Sequence, residues 1–251
     1  QSRMCMAAGC AAGAVFGISE NHVRVTLARL AAQGMAQATE RGAWRLGPAA
    51  HRLAQDVANW RRAGARLRPW NGQYVGVYCG VLPRSERAAN RQRERALHLL
   101  GFAELQRDFY LRPDNIEPDI AAIRLRLHAL GLEERALVCA CSGFDGATEA
   151  AIDALWNGVA LNQGYRATQE RLQRWLDGAA RLPIDQAARE SFFLGGAAIR
   201  QLVYDPLLPE AMVDGALRTA FINSVHAFDA AGRAIWGRFY DTLSNPDTAA
   251  R

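Results

Sequence analysis

The sequence contains no lysine: every one of its 30 basic residues is arginine. Together with the heavy alanine content this looks like GC-rich coding and carries little about function. Other absences exclude more. The longest apolar runs, such as Met4 to Ile18 with its interspersed Gly and Cys, fall short of the ~20 residues that a membrane span requires. A basic stretch leading into a long hydrophobic segment and a cleavage site is missing too, so a soluble, cytoplasmic protein is expected. The five cysteines form no Cys-x-x-Cys pair, and their odd number argues against a disulfide scaffold. Cys139 and Cys141, two apart in an apolar run, would share one face of a strand as buried small hydrophobes.

Enzymatic constellations are equally scarce. There is no G-x-S-x-G, H-E-x-x-H, phosphate-binding loop or G-x-G-x-x-G, and the five histidines are scattered, His98 and His128 on helices where a surface role is expected. The reading is therefore of a protein that is not an enzyme, holding no metal and no cofactor.

What the sequence does have is a lopsided charge. Residues 1–68 carry ten Arg against Glu20, Glu40 and Asp56, a balance of +7, whereas the remainder comes to −2. A basic N-terminal segment on a near-neutral body is the footprint of a DNA-binding head, because phosphate contacts supply most nonspecific affinity.

The local patterns agree. Residues 4–16 suit a helix, Phe16-Gly17-Ile18 interrupts it, and Ser19 can cap a second helix. Val23, Leu27 and Leu30 then recur at helical spacing, leaving Asn21, His22, Arg24, Val25 and Ala28 on the other face. Asn21 and Arg24, at the exposed start, are placed to reach base edges. Arg29 would hold a phosphate or tether the wing, and His22 would contact phosphate or face solvent. Gly34 ends the helix, and Met35–Thr39 and Ala43–Leu46 read as a hairpin wing with Arg41 at its tip, beside Gly42. Trp44 is expected to pack. Pro48 to Ala63 reads as a helix with Leu53 and Val57 inward. Arg61, Arg62, Arg66 and Arg68 would extend a phosphate track or solubilise a linker, the linker being favoured.

Further on, strands at Gln73–Gly80, Leu105–Leu111 and Arg135–Cys141 alternate with helices at about Arg84–Leu100 and Pro118–Leu130, which suggests a ferredoxin-like α/β sandwich. Tyr78-Cys79-Gly80 offers no metal-holding acid at the end of the first strand, against phosphodiester chemistry. Beyond Asp145 the pattern turns helical, at Thr148–Trp175, Pro183–Tyr204 and Asp214–Leu243, with a frayed tail. The fold class is thus α+β multidomain: a winged helix-turn-helix over 1–68, a ferredoxin-like central domain over 69–144 and an all-α helical domain over 145–251.

With these features in place the chain resembles the PaaX-like repressors, which silence phenylacetate and related aromatic-acid pathways. The likeness rests on Phe16-Gly17-Ile18-Ser19 with Val23-Arg24, Leu27 and Arg29-Leu30. It continues in Trp70-Asn71-Gly72, Leu99-Leu100-Gly101-Phe102 and Tyr110 to Pro113. In the last third it rests on Leu155-Trp156, Tyr165 and Asp205-Pro206-Leu207-Leu208-Pro209-Glu210. The resemblance implies a homodimer on a palindromic double-stranded DNA operator, a central unit similar to CRISPR-associated dimeric nucleases, and release by an aryl-acetyl coenzyme A thioester. Two departures stand out: the segment ahead of Met4 is too short for the head's usual first helix and strand, and Gly215 follows Glu210 early without the expected Trp.

For the effector, Trp156, Tyr165, Arg200 and Tyr204 are natural lining, aromatic walls suiting an aryl group and Arg suiting coenzyme A phosphates; the same residues at helical spacing also suit a core. The rival reading is a metabolite-binding module or enzyme with a vestigial DNA head. Repression and activation both stay open at this level.

Overall fold

Caps and turns set the elements of the N-terminal segment. In the computed structural model, which describes residues 4–39, 42–50, 59–62, 64–83 and 85–244, strand β1 (Met4–Cys5) leads into helix α1 (Met6–Val15). Gly17, at φ 69°, supplies the left-handed residue that reverses the chain after α1. The Ser19 hydroxyl then accepts from the His22 N–H at 3.4 Å and starts α2 (Glu20–Ala32), whose Leu27 is buried. Gly34, at φ 68°, ends that helix ahead of β2 (Ala36–Thr39) and β3 (Ala43–Leu46). The three strands form one antiparallel sheet in the order β1-β3-β2. Met4 and Cys5 pair with Trp44 and Ala43, and the segment ahead of Met4 lies outside the described residues.

The helix expected over Pro48–Ala63 is helical at 48–50, while Leu53 and Val57 lie outside the described residues. Asn59–Arg62 and Gly64–Arg66 are short 3₁₀ turns and not a continuing α-helix.

The next stretch runs β4 (Tyr74–Tyr78), α3 (Arg87–Leu99), β5 (Ala103–Gln106), β6 (Phe109–Pro113), α4 (Ile120–Leu130) and β7 (Leu137–Cys141). All its pairings are antiparallel, in the order β5-β6-β4-β7. Where one strand was expected at Leu105–Leu111 there is a hairpin. Its turn holds Asp108 at φ 63°, a conformation Asp tolerates better than most residues, and the run of partly apolar residues across it disguises the reversal. Val75, Val77, Leu111, Ile123 and Leu127 are fully buried between sheet and helices.

The helical region also departs from expectation. Thr148–Trp175 is two helices, α5 (Gly146–Asp153) and α6 (Gly158–Ala179), separated at Asn157, whose side chain accepts from the Ala160 N–H at 2.9 Å and caps α6. Then come α7 (Ile184–Val203) and α8 (Gly215–Ser244), the latter capped by Asp214. Among the described residues no helix is long and apolar enough to cross a membrane.

Packing divides the chain into two compact units. One comprises Gln1–Arg61, Glu170–Ile199 and Asn223–Arg251; the other comprises Arg62–Gln169 and Arg200–Ile222. In the first, Ala11 and Val15 of α1 pack on a core of Ala187, Ala188, Ile235 and Phe239. The architecture is mixed, with several helices, two small antiparallel sheets and a helical C-terminal region.

Candidate nucleic-acid interface and ligand groove

The α2 helix buries one side only. Leu27 is 9% exposed, while Asn21, His22, Arg24, Val25, Ala28 and Arg29 face solvent and Val23 and Leu30 are half-buried. Arg24 is paired with Glu20 one turn earlier, both side chains about 60% exposed (61% and 59%). Such a pair is weak and easily exchanged for another anion. Arg41 lies outside the described residues; Gly42 beside it has φ 70°. Trp44 is half-buried.

Three of the four arginines of 61–68 are held by acids, and Arg62 is exposed. Arg61 is bound to Asp229 at 3.0 Å, Arg66 to Glu117 at 2.8 Å and Arg68 to Asp114 at 2.8 Å. Their partners lie 46 to 168 residues away in sequence, which no local pattern could disclose.

In the other unit, Trp156, Tyr165 and Tyr204 converge on one open groove of about 470 Å³, together with Leu161, Gln201, Asp205 and Pro206. Arg200 lies outside its lining, but its guanidinium sits 5.5 Å from the Tyr204 ring centre. His98, exposed as expected, has its ring 5.1 Å from the same tyrosine. Tyr165 is 1% exposed and stacks on Phe221 at 5.3 Å, so it serves as both core and groove wall. Burial, then the neighbouring Asp205 charge, raises its phenol far above the usual range. Burial likewise raises the Asp205 carboxyl, against the opposing effects of Tyr165, the Leu207 N–H and Arg218.

Sequence reasoning missed Asp205 and Pro206 as groove residues, had Arg112 only as part of the Tyr110–Pro113 landmark, and missed Asn115 altogether. The signal was present in the Asp205–Glu210 motif. Asp205 Oδ1 accepts from the Leu207 N–H at 2.8 Å, and buried Arg218 donates to the Leu208 carbonyl. A side chain on Gly101, at φ 72°, would fall 2.6 Å from Pro206 Cα. Arg112 donates to the Leu100 carbonyl. Three of the sequence landmarks therefore meet in one place, as architecture.

Cys139 and Cys141 do share a face, with sulfurs 3.7 Å apart, but both are half-buried because β7 is an edge strand. Among the described residues no group of three or more His, Cys, Asp or Glu is placed to hold a metal ion.

No curated protein matches the chain significantly in sequence. In structure it is similar to the uncharacterized protein Rv0674 from Mycobacterium tuberculosis, with a TM-score of 0.55 and 21% identity over 90% of this chain and 88% of that one. This shows a shared fold. Residues 156–238, which include Trp156, Tyr165 and the Asp205–Glu210 motif, match the PaaX-like protein C-terminal domain, so the last third of the chain is similar to that domain.

Proposed function

We propose that this protein is a cytoplasmic, DNA-binding transcriptional repressor, a homodimer released from its operator by an acyl effector of the aryl-acetyl coenzyme A type. The observation that carries the reading is α2: a capped helix that follows a tight turn, buries Leu27 and leaves Asn21, His22, Arg24, Val25 and Arg29 on its open side. B-DNA's major groove, about 12 Å wide, accepts such a helix. The excess of +7 over residues 1–68 supports it, even with Arg61, Arg66 and Arg68 engaged elsewhere.

On this reading residues 1–68 are a winged helix-turn-helix, with Asn21 and Arg24 on base edges, Arg29 and His22 on phosphates and Arg41 at the wing tip. Residues 69–144 are a ferredoxin-like domain, supported by the β-α-β-β-α-β order and the β5-β6-β4-β7 sheet. Residues 145–251 are the helical domain. The groove at Trp156, Tyr165 and Tyr204 takes the acyl end of the effector, and Arg200 takes a phosphate. Effector binding changes the spacing of two heads that must sit about 34 Å apart, one turn of DNA.

A gel shift on the intergenic DNA upstream of the gene tests the reading. Binding that weakens steeply with salt, and that Arg24→Ala impairs, is expected. Equal, feeble binding by wild type and Arg24→Ala overturns the assignment of α2.

A further inference from the structure

Within the unit that contains α2, helices α7 and α8 leave an open cavity of about 280 Å³, walled by Phe192, Ile199, Phe228 and Trp236, with Asp229 and Arg233 as its charged members. Small-molecule pockets run from about 300 to 1,000 Å³, so this one suits a compact group the size of a single ring. Its chemistry is specific in sign. Asp229 receives Arg61 at 3.0 Å and Arg233 at 3.1 Å, so one carboxylate faces two guanidiniums, and the Arg233 side chain, 61% exposed, is free to turn to a second anion.

At two of the cavity's three lining glycines the space is not demanded by packing, whereas at Gly195 a Cβ would come 3.3 Å from the Phe228 ring. A Cβ on Gly196 would meet nothing within 4 Å, and one on Gly232 only Ser191 at 3.8 Å. Glycine inside a helix costs about 1 kcal/mol relative to alanine. Two of the cavity's walls also hold the turn ahead of α2. Phe192 meets Phe16 edge-on at 5.0 Å, and Trp236 stacks on it at 6.0 Å. Phe16 closes α1 and is the first residue of that turn.

We propose that this cavity binds a compact aromatic carboxylate, its ring against Phe192 and Trp236 and its anion on Arg233, and that Phe16 passes the occupancy to α2. The second half rests on α2 being the DNA-reading helix; the first half does not.

The test titrates the full chain with benzoate by calorimetry, with benzylamine as the cationic control. Saturable benzoate binding is expected, weakened at least tenfold by Gly196→Leu and by Gly232→Leu, which fill the cavity from opposite helices, and by Arg233→Gln, while melting temperatures hold. Benzylamine should not bind. No saturable benzoate binding, or binding unchanged in the filled variants, overturns the site. Phe16→Leu should then bind benzoate normally but lose the benzoate-dependent change in DNA affinity; a wild-type response overturns the coupling. A wild-type protein that binds benzoate but no DNA would sink the regulatory reading and leave the cavity standing.

Discussion

Asn115 holds Leu207 from 92 residues away: its amide nitrogen donates to the Leu207 carbonyl at 2.8 Å, while its amide oxygen accepts from Arg112 Nη2 at 2.7 Å. Arg112 is fully buried with backbone carbonyls and Asn115 as its hydrogen-bond partners, and burial drops its guanidinium to about 9. A buried cation whose direct hydrogen-bond partners are all neutral is tolerable only while its donors are satisfied. Leu207 itself sits at φ 50°, a strained conformation for leucine that this bond helps to hold.

Asn115→Ala should therefore cost about 2–4 kcal/mol, since it orphans a guanidinium nitrogen and a strained residue's carbonyl together. Differential scanning calorimetry checks this. A loss below about 0.5 kcal/mol would show that water replaces the amide.

Gly101→Ala should be at least as damaging, because the new Cβ meets Pro206 backbone and the position requires positive φ. Compensation by a second change at Pro206 is not expected, as the clash is with Cα. Thermal melts of the single and double variants decide.

At the proposed DNA face, Glu20→Gln should tighten binding several-fold by releasing Arg24 from its intrahelical partner. Arg24→Ala should weaken it by about 1–3 kcal/mol. Fluorescence anisotropy at two salt concentrations measures both; opposite signs would show that Arg24 works only as a helix-stabilising pair.

In the groove, Trp156→Ala and Tyr204→Ala should weaken coenzyme A thioester binding about tenfold or more while leaving DNA affinity without thioester intact, as both line open space and neither is buried. Unchanged thioester affinity in calorimetry would place the effector elsewhere.

Burial pushes the Cys79 thiol up to about 11 from its ordinary 9.0. A thiol pKa raised by folding favours the native state at pH below 9 and loses that contribution as pH climbs toward 11. Urea denaturation should show about 2–3 kcal/mol lost across that window, and Cys79→Ala should flatten the fall. Identical pH profiles for the two proteins would exclude Cys79 as the cause.

Much of the fold was legible because its signals are local. Ser19, Gly17 and Gly34 mark the ends of α2 with a cap and two left-handed residues, and the alternation of Val75, Val77 and Cys79 marks β4. The hairpin at Asp108 and the break at Asn157 were hidden because their turn residues sit inside otherwise continuous patterns. Three of the four proposed effector residues meet in one groove, yet the sequence offered no way to tell Tyr165, stacked in the core, from Tyr204, half-open at the edge.

By itself the sequence determined which helix turns its polar face outward, where the basic charge is concentrated and which C-terminal domain the chain carries, since periodicity, composition and motif are properties of neighbours along the chain. Only the tertiary structure decided that Arg61, Arg66 and Arg68 are engaged by acids, that Asn115 holds the Leu207 carbonyl, and that Phe16 rests on Phe192 and Trp236. Those contacts join residues far apart in sequence, and their formation depends on how the packed elements bring the side chains within reach, which no local pattern encodes.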